Sequence, residues 1–281
     1  MRSIIKYLAK RLLGIIRRDS NDRLYWSVYY TFNFGDWIGP FLYMNITKKE
    51  PLFAMPSSYS RDTVIMSAGS ILSLARENCV IWGSGILDRK ASFPKPRKIL
   101  SVRGPYTREC CLKLGYDCPE IYGDPGILLP NFYKPKSRIK KFELGIVPHF
   151  RDLVFVADKF KDCSKSTVID PRHPIDQVVD HIISCNHIVS SSLHGLIISH
   201  AYGVPAGWVS FGNRLGGDGI KFFDHFASLK CYKPNCLENA LELSVKDLSL
   251  HADSSPRFEV EAISKILMDI CPYSLYNAQS D

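Results

Sequence analysis

The chain has 281 residues, of which 46% are hydrophobic and 23% charged. This composition is typical of globular proteins and excludes a mainly disordered chain, and the length is sufficient for two ordinary α/β domains. Lys and Arg total 36 against 28 Asp and Glu, a formal net charge of +8, which favours an anionic partner such as phosphate or a membrane surface. Nucleic acid is not expected, because the basic residues are scattered and no aromatic–basic recognition motif occurs.

The cysteines form an odd set of nine, and most lie within apolar runs. Buried free thiols are typical of a reducing compartment, so we expect a cytoplasmic protein. No Cys/His group has the spacing of a structural zinc site, and we expect no metal. No stretch approaches the ~18 consecutive apolar residues of a membrane span, and the N-terminus lacks the features of a secretory signal.

Residues 1–18 combine six basic residues with apolar residues at helical spacing. This pattern predicts an amphipathic helix with one basic face. Such a helix either lies on the cytoplasmic face of an anionic membrane or packs on the domain with its basic face in water. Both interpretations remain open.

The first half of the chain alternates short β-branched or aromatic runs with helical patterns. The pattern predicts parallel strands and crossover helices. The predicted strands are 28–31, 63–68, 80–83, 99–102 and 121–122, and the predicted helices are 71–77 and 105–114.

A polar segment rich in Pro and Lys, residues 130–141, predicts a linker, and we divide the chain into domains 1–135 and 136–281. The second half repeats the alternation. Its predicted strands are 144–148, 167–169, 187–191 and 207–209, and its predicted helices are 175–184 and 196–202. The fold expected is α/β with two Rossmann-like, doubly wound domains, which bind ligands in the cleft at the carboxyl ends of their strands.

Two glycine-containing motifs of the first half lie at predicted strand ends. In Asn33-Phe-Gly-Asp36, Gly35 permits a tight turn into a helix whose free N–H groups suit an anion, and Asp36 either caps that helix or contacts a ligand. Gly83-Ser84-Gly85 allows close approach of the backbone, with Ser84 in the cleft or in a plain turn. Because Asp88 interrupts the GxGxxG fingerprint, no nicotinamide cofactor is expected.

Arg103 and Asp124 each follow a later strand of the first half. Arg103 precedes Pro105 at a helix start, where its guanidinium suits a phosphate or carboxylate, or alternatively an interdomain salt bridge. Asp124 stands in a Gly-Asp-Pro turn. It is either structural, through an Asx turn, or part of the site.

In the second half, Ile188-Val-Ser-Ser-Ser-Leu-His-Gly195 carries a β-branched strand into three serines and then into a helix. The hydroxyls and the helix N-terminus suit a phosphate group, and His194 suits proton donation near neutral pH. His149 lies at another strand end and is a further candidate. His200, inside the helix, is expected to be a packing residue.

Taken together, these motifs resemble the polysaccharide pyruvyl transferase family over residues 30–230. The order that carries the resemblance is Asn33-Phe-Gly-Asp36, Gly83-Ser-Gly85, Arg103-Gly-Pro-Tyr-Thr107, Gly123-Asp-Pro125, Pro148-His149, Ser190-Ser-Ser-Leu-His-Gly195, Ala201-Tyr-Gly-Val-Pro205 and Lys221-Phe-Phe-Asp224. The resemblance implies a GT-B-type arrangement of two domains, phosphoenolpyruvate as donor without a further cofactor, and a ketal-linked pyruvate on a sugar of a polysaccharide or lipid-linked glycan precursor.

The resemblance also implies roles for individual residues. His194 is the proton donor or phosphate-side donor, Arg103 the anion clamp, and Asp36 or Asp124 the acceptor base. Several family members carry Arg where Ser192 stands here. The donor phosphate therefore needs another guanidinium, for which Arg103, Arg151 and Arg214 are the candidates. The expected substrate contacts are Asn33, Gly35, Gly83, Ser84, Gly85, His149, Arg151, Ser190, Ser191, Ser192, Gly195, Arg214 and Lys221.

Two rival functions remain open. A nucleotide-sugar glycosyltransferase shares the expected fold, and anion binding in its second domain would produce the same sequence features. A catalytically inactive glycan-binding relative is the non-enzymatic alternative.

Overall fold

The computed structural model describes residues 22–28, 32–212 and 214–273. The predicted amphipathic helix of residues 1–18 lies outside these residues and stays a prediction.

The first half contains a parallel five-stranded sheet. Its strands are β1 (Arg23–Tyr25), β2 (Leu52–Phe53), β3 (Val64–Met66), β4 (Cys79–Trp82) and β5 (Lys98–Ser101), in the order β2-β1-β3-β4-β5. Helix α1 (Ile38–Thr47) follows β1, and α2 (Pro105–Lys113) and the short α3 (Leu129–Phe132) follow β5. All three residues of β3 are buried, as expected for a parallel strand covered on both faces.

The second half contains another parallel five-stranded sheet. Its strands are β6 (Phe142–Val147), β7 (Ser166–Val168), β8 (Cys185–Ser190), β9 (Ala206–Val209) and β10 (Cys236–Leu237), in the order β10-β9-β8-β6-β7. Its helices are α4 (Leu153–Phe160), α5 (Ile175–Ile183), α6 (Leu193–Ala201), α7 (Ile220–Ser228), α8 (Val245–Asp253) and α9 (Glu261–Asp269). The α/β class with two parallel, Rossmann-like sheets is confirmed.

Local sequence explains several of these boundaries. Helix α2 starts with Pro105, whose fixed φ and missing N–H suit the first helical position. Helix α8 starts with a capping box in which Ser244 and Asp247 bond each other's backbone N–H groups. In α5, apolar residues at helical spacing form one buried face, which packs on the sheet.

Two predicted elements of the first half differ from the structure, and a third lies mostly outside the described residues. The first described strand is Arg23–Tyr25; of the predicted strand 28–31, Val28 is exposed and lies outside any strand, and residues 29–31 are not among the described residues. The predicted helix 71–77 is only a 3-10 turn, Leu72–Leu74, and the predicted strand 121–122 is a single bridge between Val102 and Tyr122.

The last helix connects the two halves. The indole Nε1 of Trp82 donates to the carbonyl of Leu267 in α9 at 3.1 Å, and the Tyr273 hydroxyl lies 3.5 Å from the carbonyl of Gly39. The largest hydrophobic cluster accordingly includes residues of both halves, such as Trp82 and Leu196. The domain boundary at 135/136 stays a prediction, and residues near the C-terminus pack on the first half.

Candidate active site

His194 lies at the point where the two halves meet. Strand β8 ends at Ser190, and α6 begins at Leu193, so His194 occupies the first turn of the helix. Its Nε2 is 3.6 Å from Oδ2 of Asp124, slightly longer than a hydrogen bond. A Cβ atom on Gly35 would overlap the His194 ring. The absence of a side chain at Gly35 therefore leaves room for this ring.

Asp124 is completely buried, and both oxygens of its carboxylate accept hydrogen bonds from backbone N–H groups. Oδ1 accepts from the Gly126 N–H at 2.9 Å and Oδ2 from the Gly69 N–H at 3.2 Å. Burial by itself would raise the pKa of Asp124, but the contact with His194 and these N–H groups outweigh it and hold the pKa below its ordinary value. This lowered pKa favours the ionised form of Asp124 beside His194.

Asp36 is a second carboxylate near His194, with a different environment. Its side chain is partly exposed. Burial raises the pKa of Asp36 to about 6, although the His194 charge and the Asn33 amide lower it. Nδ2 of Asn33 donates to Asp36 Oδ2 at 3.2 Å. A pKa near 6 is in the range that suits an acid–base group at neutral pH.

The guanidinium of Arg103 is enclosed by the protein. Nε donates to Asp224 Oδ2 at 3.0 Å, Nη1 to Ser70 at 2.6 Å and Nη2 to the Ile86 carbonyl at 2.7 Å. Arg103 and Asp224 are both fully buried. This geometry favours the interdomain salt bridge of the two alternatives, and an anion clamp by Arg103 stays a prediction.

The Gly83-Ser84-Gly85 motif packs around this region. A Cβ on Gly85 would overlap the Arg103 guanidinium, and one on Gly83, whose φ is +83°, would overlap Pro125. The Ser84 hydroxyl donates to the Ser67 carbonyl. The two glycines thus make room for Pro125 and for the Arg103 guanidinium. The sequence allows this role as well as contact with a ligand.

Two of the three serines connect neighbouring strand ends. The Ser190 hydroxyl donates to the Val147 carbonyl at 2.8 Å, and the Ser191 hydroxyl accepts from the His149 N–H at 2.9 Å. Ser192, at the N-cap of α6, has no side-chain cap bond. A Cβ on Gly195 would overlap the Ser190 hydroxyl. Of these residues, Ser192 is best placed to meet a ligand.

A cavity of about 390 Å³ lies at the carboxyl ends of β9 and β10. It is lined by Trp208, Ser210, Gly212, Leu215, Gly216, Gly217, Asp218, Gly219, Lys221, Phe222, Cys236 and Glu238. Lys221 is nine-tenths buried. Burial and the charges of Arg103 and Arg151 lower the pKa of Lys221 to about 8, so its ammonium remains mostly protonated at neutral pH.

The remaining basic residues have distinct partners. Arg214 Nη1 donates to the buried Asp152 at 3.2 Å, and its guanidinium lies 4.0 Å from the Phe155 ring centroid. Arg151 donates to the Arg214 carbonyl. Within the described part of the chain, neither Arg151 nor Lys221 forms an ion pair with a carboxylate. Burial, together with Lys221 and Arg151, lowers the pKa of His149 to about 4, so His149 is neutral.

The structure adds partners that the sequence analysis did not assign. Asp152 and Asp224 bind the two arginines, and His225 pairs with His200. Asp224 stands inside a motif that the sequence did single out, but a motif does not reveal which distant cation a carboxylate meets. All nine cysteines are free thiols. No group of three His, Cys, Asp or Glu side chains in the described residues could hold a metal ion.

No helix in the described residues is both long and apolar enough to cross a membrane. The fold and site define an α/β protein in which Asp124 and Asp36 lie near His194, and in which a cavity is lined by Lys221 together with Asp218 and Glu238. Residues 1–213 match the family described as polysaccharide pyruvyl transferase, and the chain belongs to this family.

Two relatives illustrate its range. The chain is 33% identical over 208 residues to the uncharacterized protein L143 of Acanthamoeba polyphaga mimivirus, covering 69% of this chain and 70% of that protein. It is 27% identical over 217 residues to the succinoglycan biosynthesis protein ExoV of Rhizobium meliloti (strain 1021), covering 72% of this chain and 63% of ExoV. A functional uncharacterized protein, KP1_0663 of Klebsiella pneumoniae, has a solved structure with a TM-score of 0.41 and 12% identity, covering 82% of this chain and 98% of that one.

Proposed function

We propose that this protein transfers a pyruvyl group from phosphoenolpyruvate to two hydroxyls of a sugar in a polysaccharide or lipid-linked glycan precursor. The product is a cyclic ketal, and phosphate is released. Family membership supports the reaction class. The single observation that carries the proposal is the His194–Asp124 contact of 3.6 Å.

The reaction begins with proton transfer to the methylene carbon of phosphoenolpyruvate. Protonation creates a cationic centre at C2, which a sugar hydroxyl attacks. His194 delivers this proton, and the Asp124 anion stabilises the imidazolium form and orients the ring. A gap of 3.6 Å is compatible with this role, because catalytic hydrogen bonds often tighten only when substrate is bound.

The donor's negative charges are held by two neighbouring basic side chains, Lys221, which lines the cavity, and Arg151, whose charge acts on Lys221. Lys221 and Arg151 are free of carboxylate partners in the described residues, whereas Arg103 and Arg214 are paired. We therefore assign the donor phosphate to Lys221 and Arg151, helped by Ser192 and the N–H groups at the start of α6. Lys221 and Arg151 thus supply the positive charge that a serine at position 192 lacks.

Asp36 is the acceptor base. Asp124 is completely buried and its oxygens face His194 and backbone N–H groups, whereas Asp36 is partly exposed and has a pKa of about 6. Asp36 takes the proton of the attacking hydroxyl. Phosphate then leaves from C2, and the second hydroxyl closes the ketal.

The proton balance is complete without an external reagent. The two attacking sugar hydroxyls release two protons. One restores the proton that His194 gave to the methylene carbon, and the other ends on the released phosphate. The C2–O bond to phosphate breaks, and two C2–O bonds to the sugar form. No redox step occurs, and the proposal requires no metal or further cofactor.

The proposal includes a GT-B-type arrangement with acceptor and donor sides facing one cleft, and a cytoplasmic location with at most peripheral attachment to an anionic membrane. Support comes from the two parallel sheets and from residues of both halves around His194.

The decisive experiment incubates the protein with phosphoenolpyruvate and a panel of free and lipid-linked galactosides, glucosides and mannosaminides. We expect phosphate release that depends on one acceptor class, with a product heavier by the pyruvyl ketal in mass spectrometry. Thermal stabilisation by UDP or GDP but not by phosphoenolpyruvate would instead support a nucleotide-sugar glycosyltransferase. Binding of a glycan without turnover of either donor would support the inactive relative.

A further inference from the structure

Helices α6 and α7 each carry a buried histidine that the proposed reaction does not use. Nδ1 of His200 lies 3.0 Å from Nε2 of His225. The two rings are nearly parallel, with an interplanar angle of 14°. His200 is 4% exposed and His225 is fully buried. The packing role predicted for His200 is therefore accompanied by a specific hydrogen-bond partner.

The pair connects the two helices that carry reacting and binding groups. Helix α6 holds His194 in its first turn, and α7 holds Lys221 near its start. Between residues 193–201 and 220–228, all of which the structure describes, His200–His225 is the only hydrogen bond that joins side chains of the two helices. The pair is thus placed to fix one helix relative to the other.

Both rings are uncharged at neutral pH. Burial lowers the pKa of His200 to about 4, with the Ala206 backbone acting in the opposite direction. Burial, with His200, Arg103 and His194, lowers the pKa of His225 well below its ordinary value, and Asp124 opposes this. A neutral pair offers one donor and one acceptor. Its hydrogen bond therefore does not change over the neutral pH range.

Aromatic rings restrict the orientation of His200. The ring centroid of Phe258 lies at 4.8 Å and that of Phe226 at 5.6 Å, both nearly edge-on. A ring held in this way cannot swing to another partner without displacing its neighbours. The hydrogen bond consequently has one geometry. It can therefore set the distance between α6 and α7.

We propose that the His200–His225 hydrogen bond positions the proton donor His194 against the donor-binding Lys221, by fixing α6 relative to α7. The inference rests on the proposed function. Neither histidine touches the substrate, so both are positioning residues. Proton transfer to carbon depends steeply on geometry, whereas charge attraction by an ammonium does not. Loss of the bond should therefore lower kcat and leave the KM for phosphoenolpyruvate nearly unchanged.

The bond can be removed or imitated. His200→Leu and His225→Leu remove it. His200→Asn and His225→Gln keep it, because the amide groups of Asn and Gln reach the positions of Nδ1 and Nε2, respectively. Ser199→Ala is the matched control, since Ser199 is buried on α6 and its hydroxyl bonds only the Gly195 carbonyl of the same helix.

We expect roughly tenfold or greater loss of kcat in either Leu variant, with less than about twofold change in KM. The Asn and Gln variants should recover most of the activity, and the double Leu variant should be no worse than the single ones. Thermal melting identifies variants that fail to fold. Folded Leu variants with normal kcat, or Asn and Gln variants as impaired as the Leu variants, would overturn the proposal.

A second readout separates this proposal from the proposed function. The imidazole ¹⁵N resonances of His194 should shift in His225→Leu and return in His225→Gln, whether or not any acceptor is turned over. A wild-type protein that releases no phosphate from phosphoenolpyruvate with any acceptor contradicts the proposed function. Unchanged His194 resonances in the folded Leu variant contradict the positioning role.

Discussion

His194 of the second half and Asp124 of the first half meet at 3.6 Å, and Asp124 keeps its negative charge through two backbone N–H groups as well as this contact. The contact between this imidazole and its carboxylate depends on the docking of the two halves. Any motion that separates the halves would also separate the imidazole from its carboxylate.

The first prediction concerns this pair. His194→Ala should lower kcat by roughly 10² or more, because it removes the proton donor, and Asp124→Asn should lower it comparably by removing the charge that stabilises the imidazolium. Phosphate release under saturating phosphoenolpyruvate measures both. A folded His194→Ala protein with nearly normal turnover would eliminate the acid role.

The second prediction concerns pH. Because the pKa of Asp36 is about 6 and the base must be ionised, kcat should rise with pH through about 6. Asn33→Ala removes a hydrogen bond to the carboxylate, so the pKa of Asp36 should rise and the acidic limb should move to higher pH. An unmoved limb in a folded Asn33→Ala protein would assign the titration to another group.

Asp36 also has a stability consequence with a definite sign. Its pKa is raised from 3.8 in the unfolded state to about 6, so folding disfavours the charged form. Stability is then lost as pH rises from about 4 through 6. Asp36→Asn removes this loss and should melt at a higher temperature than the wild type above pH 6. The difference in melting temperature between the two proteins should disappear near pH 4.

The third prediction concerns donor binding. Lys221→Ala and Arg151→Ala should each raise the KM for phosphoenolpyruvate roughly tenfold or more, since each removes a cation from the phosphate. The pKa of Lys221 is about 8, so donor affinity should fall above pH 8. Lys221→Arg should keep donor affinity at high pH, because the guanidinium stays charged. Identical alkaline profiles in wild type and Lys221→Arg would remove Lys221 from the donor site.

The fourth prediction distinguishes the two roles of Arg103. If the Asp224 pair is structural, Arg103→Met leaves a buried carboxylate unpaired and should cost about 3–5 kcal/mol of unfolding free energy. Adding Asp224→Leu should recover part of this loss. Denaturant unfolding measures both changes. A stable Arg103→Met protein with a greatly raised KM for phosphoenolpyruvate would instead establish the anion clamp.

The fifth prediction concerns metals. The proposed steps use only protein side chains, so EDTA should leave phosphate release unchanged. Lost activity that a divalent ion restores would contradict this mechanism.

The sequence by itself determined the α/β class and the place of the central motif. Strands such as β4 and β8 each contain a short β-branched run, Val80-Ile81 and Ile188-Val189, and the serine-to-helix turn before His194 follows β8 as expected. The sequence predicts a helix after Gly35 but not the bounds of α1, because six of its ten residues are buried and it presents no simple apolar stripe.

Only the tertiary structure decided what the charged residues do. Arg103 and Arg151 are equally plausible anion ligands in the sequence, but Arg103 meets Asp224, which stands far along the chain. Asp36 and Asp124 are likewise indistinguishable as carboxylates until burial and backbone N–H groups separate their pKa values. Periodicity is a local property that the chain carries in itself, whereas the partner and the solvation of a charge are set by residues brought together only when the sheets pack.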